Sequence, residues 1–280
     1  MESIGIASLL IIIINIVFSY NGFLKKSFFE KYKFNVYEIL ENKEYIRLIS
    51  SGFLHVSWTH LLFNIVSLYS FSQIIETSLG SINFLLIYFG SLIGGDLLSL
   101  YIHRYHSDYS SVGASGAICG IIFACIALFP EIGIGPMFLP IHIPGWIYGL
   151  VYVLFSIYGI RSKDDNIGHE AHLGGALIGL IISIIIEPSS LSENYWIILL
   201  ITIPCIVFIY LILTKPHILL VDNLFFKKQD NYYNIDHKYN AEKIASQKEI
   251  DTILEKINKK GINSLNKTEQ AKLDKFSKQL

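Results

Sequence analysis

Seven stretches of this chain are apolar enough to enter lipid: about 3–20, 58–78, 82–102, 112–129, 143–160, 171–187 and 194–214. A helix rises ~1.5 Å per residue, so ~20 apolar residues cross the hydrocarbon, and a helix satisfies its own backbone there. Composition agrees, with 52% hydrophobic and 16% charged residues and a mean hydropathy of +0.48. Such values exclude an ordinary soluble domain. The expected fold class is an all-α polytopic membrane protein. Glu2 stands where a cleaved leader would carry basic residues, and no small-residue cleavage site follows, so the first stretch reads as a retained span. Cys119, Cys125 and Cys205 lie inside the apolar stretches and read as small hydrophobes rather than disulfide partners or metal ligands.

The connections differ in character. Residues 21–57 interleave Phe, Tyr and Leu with Lys and Glu, which suits a segment lying in the membrane interface. Thr77 to Ser81 is so short that it can only join antiparallel neighbours. The seventh stretch, 194–214, reads as a further transmembrane helix; after it, 215–246 reads as a polar linker and 247–280 as a helical hairpin. In that tail Ile250, Ile253, Leu254 and Ile257 fall on one helical face, Gly261 ends it, and Asn266 with Glu269 has capping-box spacing. The tail carries no catalytic constellation and reads as an interaction module with a partner of its own. No internal repeat is evident.

Polar side chains in hydrocarbon are costly, about 2.5–3.5 kcal/mol for a charged one, so those present are functional candidates. His60 and Asn64 are i, i+4 and share a face of the second span; interhelical hydrogen bonding is the plain alternative. Ser115 stands in "GASG", Gly113 to Gly116, at the start of the fourth span. Taken alone it reads as a packing turn; as a nucleophile it would have unpaired backbone N–H groups beside it for an oxyanion. His172 precedes Gly175 and Gly179, whose G-x-x-x-G spacing admits a close neighbouring helix. His169, Glu170 and His172 fall short of a zinc motif, since the histidines are three apart rather than four. Together these residues supply a nucleophile, a base and a donor pair on three helices. No Asp presents itself in the spans as a third member, so a Ser–His dyad is the natural reading.

The three motifs resemble the rhomboid family of intramembrane serine proteases. They are H-x-x-x-N at His60 and Asn64, G-x-S-G at Gly113 to Gly116, and A-H-x-x-G-x-x-x-G from Ala171 to Gly179. Arg47 resembles the arginine of the family's first-loop motif, and Glu76 and Gly80 stand where rhomboids commonly carry Glu and Gly. The resemblance covers roughly residues 45 to 180. It implies that Ser115 attacks a peptide carbonyl, that His172 is the general base, and that His60, Asn64 and the Ser115 N–H hold the oxyanion. Gly113 would border the substrate, and Arg47, Glu76, Gly116, Gly175 and Gly179 would support the site. It further implies a six-helix core over 1–190, transmembrane protein substrates in a lipid bilayer, and no metal or other cofactor. A multi-pass protein of the bacterial inner (plasma) membrane is expected, and nucleic acid is not among its expected partners.

The sequence departs from the family pattern at Cys119, four residues after Ser115, where some members pack an aromatic ring on the histidine. Charge and resemblance also disagree about sidedness. The 21–57, 103–111 and 161–168 loops and the tail carry the basic residues, which the positive-inside rule assigns to the cytoplasm. The resemblance implies that the first loop faces outward, and an interruption of the seventh span at Pro204 would reconcile part of this. A non-catalytic relative that binds and escorts membrane proteins is the alternative function, and a solute transporter with a His/Asn/Ser path is a third.

Overall fold

The computed structural model describes residues 5–135, 142–162 and 168–214, with Lys256 alone beyond them. The chain divides into two compact units, Met1–Lys228 and Gln229–Leu280. The second unit, and with it the expected linker and hairpin, lies outside the described residues except Lys256.

Each of the seven apolar stretches forms a helix: α1 (Ile6–Leu24), α5 (Trp58–Leu79), α6 (Ser81–Ile102), α7 (Ser115–Leu128), α8 (Gly145–Ser162), α9 (His169–Ile186) and α10 (Ser189–Thr214). Between the first two come short helices α2 (Lys26–Tyr32), α3 (Val36–Leu40) and α4 (Arg47–Ser50). Two-residue strands add two small ties, β1 (Phe34–Asn35) with β2 (Ser110–Ser111) and β3 (Gly133–Ile134) with β4 (Ile143–Pro144). Among the described residues four helices, α1, α6, α9 and α10, are long and apolar enough to cross a membrane by length and composition. The protein is an integral, multi-pass, all-α membrane protein.

The burial pattern is that of a bundle in lipid. Outward faces are bare and apolar, as at Ile203, Val207 and Tyr210 of α10, while Ser8, Asn15, Ser72, Ser91 and Ser183 are buried inside. At the centre stands α7, buried without a break from Gly116 to Ala127. Its sequence is apolar on every side, which fits a helix surrounded by others. The contact between α7 and α9 is backbone on backbone. A Cβ at Gly175 would meet the Gly116 carbonyl, and one at Gly179 would meet the Gly120 carbonyl. On α6, a Cβ at Gly95 would meet the Ala171 carbonyl.

One end of the bundle gathers the ends of α1, α6 and α8 and the starts of α5, α7 and α9. The first loop is tied there by pairing of Phe34 with Ser111. It is a folded cover with its own buried cluster of Phe34, Val36 and Ile39. At the opposite end, Glu76 accepts from the Ala7 and Ser8 N–H groups at 2.9 and 2.8 Å and from the Ser81 hydroxyl at 2.6 Å. It thereby satisfies the orphan donors at the start of α1.

The seventh span differs from expectation in one respect. Helix α10 runs through Pro204, and its non-helical residue is Asn194, at φ −118° and ψ 19°. The break sits there because the Asn194 amide turns aside to donate to the Ala127 carbonyl at 3.0 Å, at the end of α7. Pro204 therefore does not end the span.

Substituting Gly179→Ala sets a methyl group against the Gly120 backbone, which has no rotamer with which to retreat. We expect a loss of about 1–3 kcal/mol, the usual range for overpacking, read as a lowered unfolding midpoint of the detergent-solubilised protein.

Candidate active site

The α7 helix has 14 residues, about 21 Å at 1.5 Å per residue, against about 30 Å of hydrocarbon. Gly113 leads into the helix at φ +134°, a backbone state that suits glycine. Its N–H donates to the Ser51 carbonyl at 3.0 Å, which pins the turn to the first loop.

His172, in the first turn of α9, brings Nε2 to 2.6 Å from Ser115 Oγ. The glycines make this reach possible, because α9 lies on α7 with no side chain between them. His60 and Asn64 come from α5, whose start is capped by Ser57 Oγ accepting from the His60 N–H at 3.1 Å. The missing side chain of Gly113 leaves a space bordered by both groups: a Cβ there would stand 3.0 Å from His60 Nε2 and 3.6 Å from Ser115 Oγ. Asn64 is buried and gives one N–H to the His60 carbonyl at 2.9 Å. An amide carries two such hydrogens, so this bond does not exhaust it. Ser115, His172, His60 and Gly113 thus converge on one small polar space, with Asn64 one turn along α5 from His60. Such a space can hold a carbonyl next to a nucleophile and a base.

Behind His60 stands His55, its ring 4.8 Å away at 71°. Ser19 Oγ donates to the Phe53 carbonyl at 2.9 Å and faces His55 Nδ1 at 2.8 Å. A hydroxyl has one hydrogen, so His55 Nδ1–H donates to Ser19 Oγ. Burial, reinforced by the neighbouring His60, lowers its pKa from 6.5 to about 3.

The supporting residues act at a distance from the pair. Arg47 is buried, and its Nη1 donates to the Glu30 and Lys33 carbonyls, both at 2.8 Å, while Nε meets Glu44 at 2.6 Å. It organises the cover. Gly116, Gly175 and Gly179 serve the α7–α9 contact, and Glu76 sits at the other end of the bundle.

Several residues were missed by reading the sequence. Tyr152 of α8 places its hydroxyl 3.0 Å from His172 Nδ1 and 2.9 Å from Cys119 Sγ. Glu170 accepts from Tyr109 at 2.5 Å and His103 Nε2 at 3.0 Å, tying α9 to the end of α6. An aspartate does lie within a span: Asp96, buried in α6, accepts from Ser51 Oγ at 3.0 Å. Gly120 could have been found, since it continues G-x-x-x-G spacing from Gly116. Tyr152 could not, because it is one of 17 tyrosines and follows no period.

Comparison with known proteins bears on the same region. The model of the rhomboid domain family matches residues 42–189, and residues 233–279 match DUF6576, a family of unknown function. Rhomboid protein 1, mitochondrial, of Saccharomyces cerevisiae is 32% identical over 157 residues, 55% of this chain and 45% of that one. YdcA of Bacillus subtilis is 36% identical over 146 residues, 51% of this chain and 67% of that one. The rhomboid protease AarA of Providencia stuartii is 33% identical over 168 residues, 54% of this chain and 59% of that one. The match thus spans about half to two thirds of these relatives' lengths.

The state of His55 predicts a pH dependence. Its folded pKa is depressed to about 3 from 6.5, so its contribution to stability is complete above pH 6.5. That contribution falls away as acid drives the unfolded imidazole to take a proton. Between about pH 7 and pH 5 the wild-type melting temperature should drop, and His55→Gln should drop less over the same interval.

Proposed function

The chain belongs to the rhomboid family, and on that premise we propose that it is an intramembrane serine endopeptidase. The observation that carries this reading is the 2.6 Å contact between Ser115 Oγ and His172 Nε2, held inside a membrane bundle. In the proposed reaction His172 Nε2 takes the Ser115 proton as Oγ bonds to the peptide carbonyl carbon. The carbonyl oxygen becomes an oxyanion held by the Ser115 N–H, His60 and Asn64, beside Gly113. Collapse breaks the C–N bond, and His172 returns the proton to the leaving amine. Water then attacks the acyl-enzyme, with His172 again the base, releasing the acid and free Ser115. With the far end of α7 set at the opposite membrane boundary, its 14 residues would leave Ser115 roughly 10 Å inside the hydrocarbon, which suits substrates that are transmembrane proteins, cut below the membrane surface.

The proposed setting is a bacterial plasma membrane. The proposed organisation is a six-helix catalytic core over 1–190 with a seventh transmembrane helix over 194–214. A linker over 215–246 then leads to a partner-binding tail over 247–280.

Ser115→Ala should abolish cleavage of a model single-span substrate, and labelling by a fluorophosphonate probe, while the protein accumulates normally. Full retained cleavage would sink the mechanism, and an unlabelled wild-type protein would favour the escort reading instead. Asn64→Ala should cost about 10²–10³ in rate, as for loss of one oxyanion donor.

A further inference from the structure

We infer that Tyr152 is a positioning residue for His172, a role that rests on the Ser115–His172 reading above. The imidazole has two nitrogens with two different partners. Nε2 faces Ser115 Oγ at 2.6 Å, and Nδ1 faces the Tyr152 hydroxyl at 3.0 Å. That hydroxyl is in turn 2.9 Å from Cys119 Sγ.

Counting hydrogens gives the chain a direction. To accept the Ser115 proton, Nε2 must be bare, so the neutral ring carries its hydrogen on Nδ1. Nδ1–H then donates to the Tyr152 oxygen, and the Tyr152 O–H donates to Cys119 Sγ. From the Ser115 O–H through the Tyr152 O–H every donor then has an acceptor. In the other tautomer Nε2 would carry a hydrogen and could not take one from serine. A phenol can donate as well as accept, so it is the turn of the Tyr152 O–H toward Cys119 Sγ that leaves a lone pair facing Nδ1 and favours the working form of the base. When His172 gains the proton, the same bond joins a cation to a neutral oxygen and strengthens. Tyr152 therefore acts on the transition state more than on substrate binding.

Cys119 fits this arrangement by its size. Its sulfur stands against the Tyr152 hydroxyl, so a ring at 119 would occupy the position that the tyrosine needs. A small residue on α7 and a tyrosine on α8 form a matched pair. The Tyr152 ring has packing of its own, against Phe123 at 5.8 Å and Tyr148 at 5.9 Å. A phenylalanine keeps that packing and loses only the oxygen.

The experiment uses the full chain in detergent, with a model single-span substrate and a fluorophosphonate probe. Tyr152→Phe should lower kcat about 10-fold, the worth of one such bond, with KM within about two-fold and the melting temperature unchanged. In ¹⁵N-histidine spectra of the wild-type protein, the His172 signal, identified by its response to phosphonylation of Ser115, should report hydrogen on Nδ1 alone. In Tyr152→Phe it should report a mixture of tautomers. A wild-type His172 protonated on Nε2, or a variant with unchanged kcat and spectrum, overturns the inference. A variant impaired only through KM or melting temperature also overturns it. A wild-type protein that the probe leaves unlabelled removes the protease reading first, and so distinguishes that failure from this one.

Discussion

The contact of α7 with α9 through bare backbone is the constraint on which the rest of the structure depends. Helices separated by side chains lie about 8–10 Å apart. Here Gly116 and Gly120 face Gly175 and Gly179, and the missing side chains of one helix are filled by the carbonyls of the other. In lipid no hydrophobic force drives helices together, so association rests on such close packing and on hydrogen bonds. The same stack extends to α6, where a Cβ at Gly95 would meet the Ala171 carbonyl and one at Gly174 would stand against the Gly95 Cα. With α9 held this close, His172 reaches Ser115 across a single hydrogen bond.

Around that stack the molecule presents Ile, Val and Leu outward as well as inward, and buries hydroxyls, amides and acids among an apolar core. A polar group in hydrocarbon without a partner is expensive, so most of these side chains are engaged. Glu76 holds the start of α1, Ser19 holds His55, and Ser51 holds Asp96. The first loop follows the same rule. Its carbonyls at Glu30 and Lys33 converge on the Arg47 guanidinium, and its Ser51 carbonyl receives the Gly113 N–H. The polar interior thereby links the first loop to the turn that carries the serine.

Much of this was legible because a bilayer makes both rules strict. Apolar length announces a span, and a polar residue inside one announces a purpose. Ser115, His172, His60 and Asn64 stand out on those grounds, and so do Gly175 and Gly179. Helix α10 runs on through Pro204 rather than being interrupted there, as membrane helices do tolerate proline. Asn194, unremarked in the sequence, is where the backbone turns. Asp96 was legible by the same rule, as an acid inside the 82–102 stretch; its partner Ser51 was not, because it lies 45 residues away in the chain.

By itself, then, the sequence determined the membrane class, the number and order of the apolar helices, and the candidate residues for chemistry, because each follows from local polarity and spacing. The tertiary structure alone decided which nitrogen of His172 faces which partner. It also decided that the ring beside the histidine comes from α8 rather than α7. Those facts depend on how far each helix is rotated about its axis and shifted along its neighbour. Hydropathy is the same for every such rotation of an apolar helix; the interlocking of glycine with backbone, and of Cys119 with Tyr152, is not.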